Sequence, residues 1–163
     1  MKFDKQTKEY LLGYKFSNGH TFNIAEKETS ILDRFTLIES FAKGKNIIHL
    51  GCCDHVPLIK EKIKNDFWLH SVITKCSKKT LGLDINKDGI NYLKNELKIT
   101  NCIYGDIIND EIPEISDQNW EYLIAGEIIE HIDNPVDFLK KINQKNKNNI
   151  QKIIITVPNA FCN

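Results

Sequence analysis

Five short apolar runs, separated by stretches of helical periodicity, constrain this chain more than any other feature. They are Asn46–Leu50, Thr80–Asp84, Asn101–Tyr104, Tyr122–Ala125 and Lys152–Val157. Each is short and rich in β-formers, the signature of a buried strand. Between the first two, Leu58 to about Ile73 carries apolar residues at helical spacing. Between the second and third, Ile90, Leu93 and Leu97 share one helical face. After the fourth, Pro135 stands at a first helical position behind Asp133-Asn134, followed by Val136, Leu139 and Ile142. A leading helix is expected over about Glu28 to Phe41. Strands alternating with helices predict an α/β fold with a parallel sheet and right-handed crossovers. A run such as Ile153–Val157, apolar but for Thr156, fits a sheet covered on both faces.

In such sheets ligands sit beyond the carboxyl ends of the strands. The first run ends in Gly51-Cys52-Cys53-Asp54-His55. Gly51 permits close backbone approach to a ligand, or an ordinary strand-to-helix turn. The second ends in Asp84, which can accept from both hydroxyls of a ribose or cap the next helix. The third runs into Gly105-Asp106-Ile107. Its carboxylate can accept from an exocyclic amine while an apolar neighbour covers a base, or it can close a turn. The fourth ends in Gly126-Glu127-Ile128-Ile129-Glu130-His131. If that segment is helical, Glu127, Glu130 and His131 stand at i, i+3 and i+4 on one face. Glu130 and His131 can equally form a structural pair.

Composition narrows the function. Lys+Arg number 22 against 22 Asp+Glu, a balance that argues against a nucleic-acid footprint or a polybasic membrane anchor. Arg34 is the single arginine, which leaves few bidentate phosphate clamps. No apolar stretch is long enough to cross a membrane, and the start lacks the apolar core of a signal peptide. A cytoplasmic protein with reduced thiols is expected at Cys52, Cys53, Cys76, Cys102 and Cys162. No CxxC pair occurs, so no zinc or redox motif is read and no metal site is expected.

From about Lys45 to Asn159 the chain resembles the class I S-adenosylmethionine-dependent methyltransferases, in the branch of small-molecule and sugar methyltransferases. Ile47-Ile48-His49-Leu50-Gly51-Cys52-Cys53-Asp54-His55 resembles the family's glycine-rich motif, and Leu81-Gly82-Leu83-Asp84 its ribose-binding acid. Tyr104-Gly105-Asp106-Ile107 resembles the adenine motif. Ala125 to Ile132 resembles the segment after strand four, and Ile154-Ile155-Thr156-Val157-Pro158-Asn159 the fifth-strand motif. The resemblance implies a Rossmann-like, doubly wound sheet of order 3-2-1-4-5, with helices on both faces. It implies S-adenosylmethionine as cofactor and S-adenosylhomocysteine as product. The cofactor site it implies comprises His49, Gly51, Cys53, Asp84, Ile85, Asp106, Ile107, Gly126 and Glu127. There are departures. His49 stands where the family has an acid, Cys53 and His55 replace the second and third glycines, and an insertion around Phe67–Val72 lengthens the first crossover. The family's last two strands have no counterpart after Pro158.

One methyltransferase-like domain over 1–163 is therefore expected, with an N-terminal helical lid segment over 1–44 and a cofactor-binding core over 45–159. The reaction implied is methyl transfer to a hydroxyl of a small molecule or of a sugar precursor in polysaccharide biosynthesis. His131 would be the general base, because its ordinary pKa lies near neutrality. Glu127 and Glu130 would orient it or contact the acceptor. His20 is a weaker candidate from the lid. A second copy or a partner is expected to cover the fifth-strand edge, unless further polypeptide does so. Three rivals stand beside this reading. One is a non-catalytic or partner-dependent scaffold subunit. Another is an RNA 3′-terminal ribose methyltransferase holding a metal on Glu127, Glu130 and His131. The third is an NAD-dependent dehydrogenase, which lacks its GxGxxG spacing here.

Overall fold

A computed structural model describes residues 4–15 and 33–158. The chain divides into two units, Met1–Asp33 and Arg34–Asn163. In the first, helix α1 (Lys5–Leu11) is capped by Asp4, whose carboxylate accepts from the Thr7 amide at 2.8 Å and from its hydroxyl at 3.0 Å. His20, Asn159, Cys162 and the start of the expected leading helix lie outside the described residues.

The second unit holds β1 (Asn46–Leu50), β2 (Lys79–Asp84), β3 (Cys102–Tyr104), β4 (Trp120–Gly126) and β5 (Ile150–Thr156). All pair in parallel, in the order β3-β2-β1-β4-β5. The expected topology is thus observed, with boundaries shifted by a residue or two. Helix α2 (Arg34–Ala42) lies in this unit. Ile38 and Ala42 pack with Ile47, Leu69, Ile73 and Ile124 on one face of the sheet. On the other face Ile48, Leu50, Leu81, Leu83, Leu123 and Ala125 meet Ile142 of α7 (Pro135–Asn146), along with Ile112 and Ile115. Each such leucine or isoleucine side chain contributes about 1.5–3 kcal/mol by leaving water.

The first crossover departs from the single helix expected over Leu58–Ile73. A 3₁₀ turn (Val56–Leu58) leads into α3 (Ile59–Lys64), the chain breaks at Asp66 (φ 57°), and α4 (Leu69–Cys76) follows. Of the two aromatics in the insertion, Phe67 is exposed and Trp68 is not. Trp68 is buried, and its indole N–H donates to the Cys52 carbonyl at 3.0 Å. Helix α5 (Lys87–Asn95) is capped by Asn86, which accepts from the Gly89 amide at 2.9 Å. A four-residue helix, α6 (Pro113–Ser116), precedes β4. Asn134 caps α7 by accepting from the Asp137 amide, with Pro135 in the first turn. Among the described residues β5 pairs only with β4, and Ile155 and Val157 are exposed. No helix among the described residues is long and apolar enough to cross a membrane.

Candidate functional site

A cavity of about 1190 Å³ opens over the carboxyl ends of the strands, where the topology places ligands in sheets of this kind. His49, Gly51, Asp84, Ile85, Asp106, Ile107, Gly126, Glu127, Glu130 and His131 all line it, so ten of the eleven candidates that fall within the described residues converge there. Cys53 is the exception. Its side chain is buried among Cys52, Ile59, Ile90 and Leu93, with its sulfur 4.0 Å from the Asn86 carbonyl. Only its backbone serves the site. The residue after a left-handed turn must choose a face, and here the apolar side lies under α5.

Asp84 is 8% exposed. One of its oxygens accepts from the Cys53 amide and the other from the Asn86 amide, both at 2.8 Å. It is therefore not the cap of α5, a role taken by Asn86. It clamps the end of β2 to the loop after β1. Each carboxylate oxygen offers about two acceptor positions, so each retains one for a ligand hydroxyl.

The glycine-rich segment is rearranged relative to the pattern it resembles. Gly51 (φ 73°) and Asp54 (φ 49°) take the left-handed positions, not residues 53 and 55. Asp54 is held by Lys62 at 2.6 Å, and His55 projects at the cavity. A Cβ on Gly51 would lie 2.3 Å from Ile128 Cδ1. A side chain here would have to displace Ile128, in the segment after β4, and hold a left-handed backbone.

Asp106 closes a turn, as the Gly-Asp pair allowed. It accepts from the Ile108 amide at 2.8 Å, the Asn109 amide at 3.3 Å and the Asn109 side chain at 2.7 Å. Burial pushes its pKa up, but these donors and the Lys145 charge outweigh it and hold the carboxyl below its ordinary value. Ile107 is buried in the core, whereas Ile85 is 71% exposed at the rim of the cavity.

The segment after β4 is not the helix that would stack Glu127, Glu130 and His131. Glu127 is left-handed (φ 56°), and Ile129–His131 form one 3₁₀ turn. Glu127 is swung to Arg34 at the start of α2, with which it forms an ion pair. A backbone bond from the Glu127 amide to the Thr156 carbonyl at 2.8 Å holds the bend. Glu130 and His131 are exposed on the cavity rim. Among the described residues these three do not bring ligand atoms within 4.8 Å of one another, so the expected metal triad of the RNA reading is not assembled. The close group that does occur, Cys52, Cys53 and Asp84, is buried, and its carboxylate is already engaged by two amides.

Four residues escaped the sequence reading. Arg34 reaches the site from α2. Burial lowers its pKa first, against the pull of Asp54 and Glu130, and its Nε has no partner among the described residues. Beneath the cavity floor, His49 Nδ1 lies 3.3 Å from His70 Nδ1, and His70 Nε2 lies 3.2 Å from the Cys102 sulfur. Cys52 completes the group. A histidine within an otherwise amphipathic crossover was the one available signal for His70.

No protein-family model matches the chain, and no curated protein matches its sequence. Among solved structures, it is similar to a TehB-like SAM-dependent methyltransferase from Corynebacterium glutamicum, at a TM-score of 0.51 and 18% identity. The match covers 74% of this chain and 59% of that one, so the chain spans about three fifths of the length of that protein. The likeness is one of fold: the α/β, Rossmann-like arrangement with strand order 3-2-1-4-5.

Proposed function

We propose that this chain binds S-adenosylmethionine and transfers its methyl group to a hydroxyl of a small molecule or sugar precursor. The observation that carries this reading is Asp84, a nearly buried carboxylate at the end of β2 that faces a cavity and keeps acceptor capacity on both oxygens. That is the place and chemistry for a ribose diol. The cavity, at about 1190 Å³, exceeds the ~300–1,000 Å³ of common small-molecule sites, which suits a nucleoside cofactor beside an acceptor.

The cofactor supplies an electrophilic methyl group when bound, and the residues around it bind and align. Asp84 takes the ribose, Asp106 and Ile85 flank the base, and Gly51 and Gly126 keep the backbone low beneath the reacting centre. His131 on the rim is the base for an acceptor hydroxyl, with Glu130 beside it. Glu127 acts through Arg34 as part of the wall rather than as a free carboxylate.

Thermal-shift and calorimetric titration with S-adenosylhomocysteine and NAD test the reading. Binding of S-adenosylhomocysteine alone is expected, with stabilisation of about 2.7 kcal/mol at 100 times its Kd. Equal shifts with both ligands, or a shift with NAD alone, refute it. A second reading, a partner-dependent scaffold subunit, draws on the side chains of Cys53 and His55 at glycine positions and on the exposed Ile155 and Val157 beside β5. It predicts a folded chain that binds neither ligand.

A further inference from the structure

The buried polar group beneath the cavity floor has no role in the reading above, and its connectivity is specific. His49 (β1) and His70 (α4) meet with ring centroids 5.4 Å apart and planes 16° apart. That separation is close to the largest a 3.3 Å contact between ring nitrogens permits. The nitrogens therefore lie on the line joining the two rings, and the contact is an in-plane N–H···N hydrogen bond rather than a stack. The other nitrogen of His70 meets Cys102 of β3 at 3.2 Å. Cys102 in turn contacts the Cys52 thiol. Gly82 makes the space for this group. A Cβ there would lie 2.7 Å from the Cys102 sulfur, and 2.8 Å from the Cys52 sulfur and from His70 Cε1. Cys52, Cys102, His70 and His49 are all buried, yet His49 lines the cavity.

We propose that Cys102, His70 and His49 form a proton relay, so that ionised Cys102 leaves His49 with a bare Nε2 toward the cavity, where it takes an N–H or O–H donor of the ligand. With Cys102 as a thiol, S–H donates to His70 Nε2, His70 Nδ1–H donates to His49 Nδ1, and His49 carries its proton on Nε2. Ionisation reverses the chain. The Cys102 proton passes to His70 Nε2, the His70 Nδ1 proton to His49 Nδ1, and the His49 Nε2 proton leaves to solvent. One proton is released and the negative charge rests on sulfur.

The surroundings favour that ionised state. The Cys52 thiol donates to Cys102 and lowers its pKa first, burial raises it, His70 lowers it, and Asp84 raises it; the net direction is below the ordinary thiol value. Cys52 itself is pushed up by Cys102, Cys53 and burial, and stays a thiol. His49 is held well below its ordinary value by burial, then by His70 and by Arg34 from α2, so it stays neutral. Helix α5 adds no charge to this group, since its buried residues are Gly89, Ile90 and Leu93. The relay does not rest on the methyltransferase reading; only the identity of the donor does, the ammonium of the cofactor or the acceptor hydroxyl.

Imidazole ¹⁵N spectra of the unliganded wild type, recorded across about pH 5 to 8, test the relay without any ligand. His49 Nε2 is expected to change from protonated to bare as Cys102 ionises, and to stay unchanged over the same range in Cys102→Ser. A His49 tautomer that is constant in the wild type overturns the relay. So does the same change in Cys102→Ser, or a doubly protonated His70 beside an unchanged His49. Because the test uses the protein alone, failure to bind S-adenosylhomocysteine would leave its outcome intact.

Discussion

Asp84 accepts the backbone N–H of Cys53 at 2.8 Å, and so the end of β2 holds in place the loop that follows β1. One carboxylate thus shapes the cavity floor and faces whatever enters it. Charge-assisted bonds of this kind are worth about 1.5–3 kcal/mol each.

Asp84→Ala is expected to act on both counts. Losing two bonds to a ribose diol should weaken S-adenosylhomocysteine binding by at least about tenfold, and losing the two amide contacts should lower stability. Asp106→Ala should weaken binding less, because three donors of its own turn already occupy that carboxylate. Calorimetry and urea unfolding on both variants check the ranking. Unchanged affinity with lowered stability would leave Asp84 as a clamp alone.

Gly51→Ala meets two obstacles, a left-handed backbone (φ 73°) and Ile128 Cδ1 at 2.3 Å. The first costs about 1–2 kcal/mol. The second falls on the end of a side chain that can turn aside. Ile128→Ala in the same background should recover the steric share and not the backbone share. A double-mutant cycle by chemical denaturation separates them.

Gly82→Ala should be worse tolerated than an alanine in a strand usually is. Its Cβ would press on two sulfurs and an imidazole, all in the core. Overpacking of this kind costs about 1–3 kcal/mol. Equilibrium unfolding should show the loss, and Cys102→Ala in the same background should relieve part of it.

Asp106 sets a pH dependence. Its folded pKa lies below the ordinary value of 3.8, so the unfolded chain takes up this proton first as pH falls. The contribution is whole above that ordinary value and is lost as pH drops through the folded pKa. Asp106→Asn should therefore flatten the acid limb of stability against pH while leaving its slope near neutrality unchanged. Denaturant midpoints along a pH series measure the difference.

The five apolar runs specified five strands because burial on both faces demands uninterrupted apolar sequence, a local and readable signal. Asn134-Pro135 and the acid ending β2 were legible for the same reason: a cap and a strand end each lie within a few residues of what they serve. The segment after β4 misled. Its i, i+3, i+4 spacing reads as a helix, but the amide of Glu127 bonds to Thr156 and its side chain to Arg34. Those partners stand 29 and 93 residues away in the chain. Cys53 looked like a ligand contact and faces the core, since which side a residue takes after a left-handed turn depends on the helix packed there.

The sequence by itself determined the strands, their parallel pairing and the residues at their carboxyl ends, because hydrophobic period and turn chemistry act over short distances. Only the tertiary structure decided that Arg34 meets Glu127 and that His70, from an inserted helix, joins His49 and Cys102 over the space that Gly82 leaves. Those contacts join elements distant in the chain, and close packing, which no local pattern encodes, sets them.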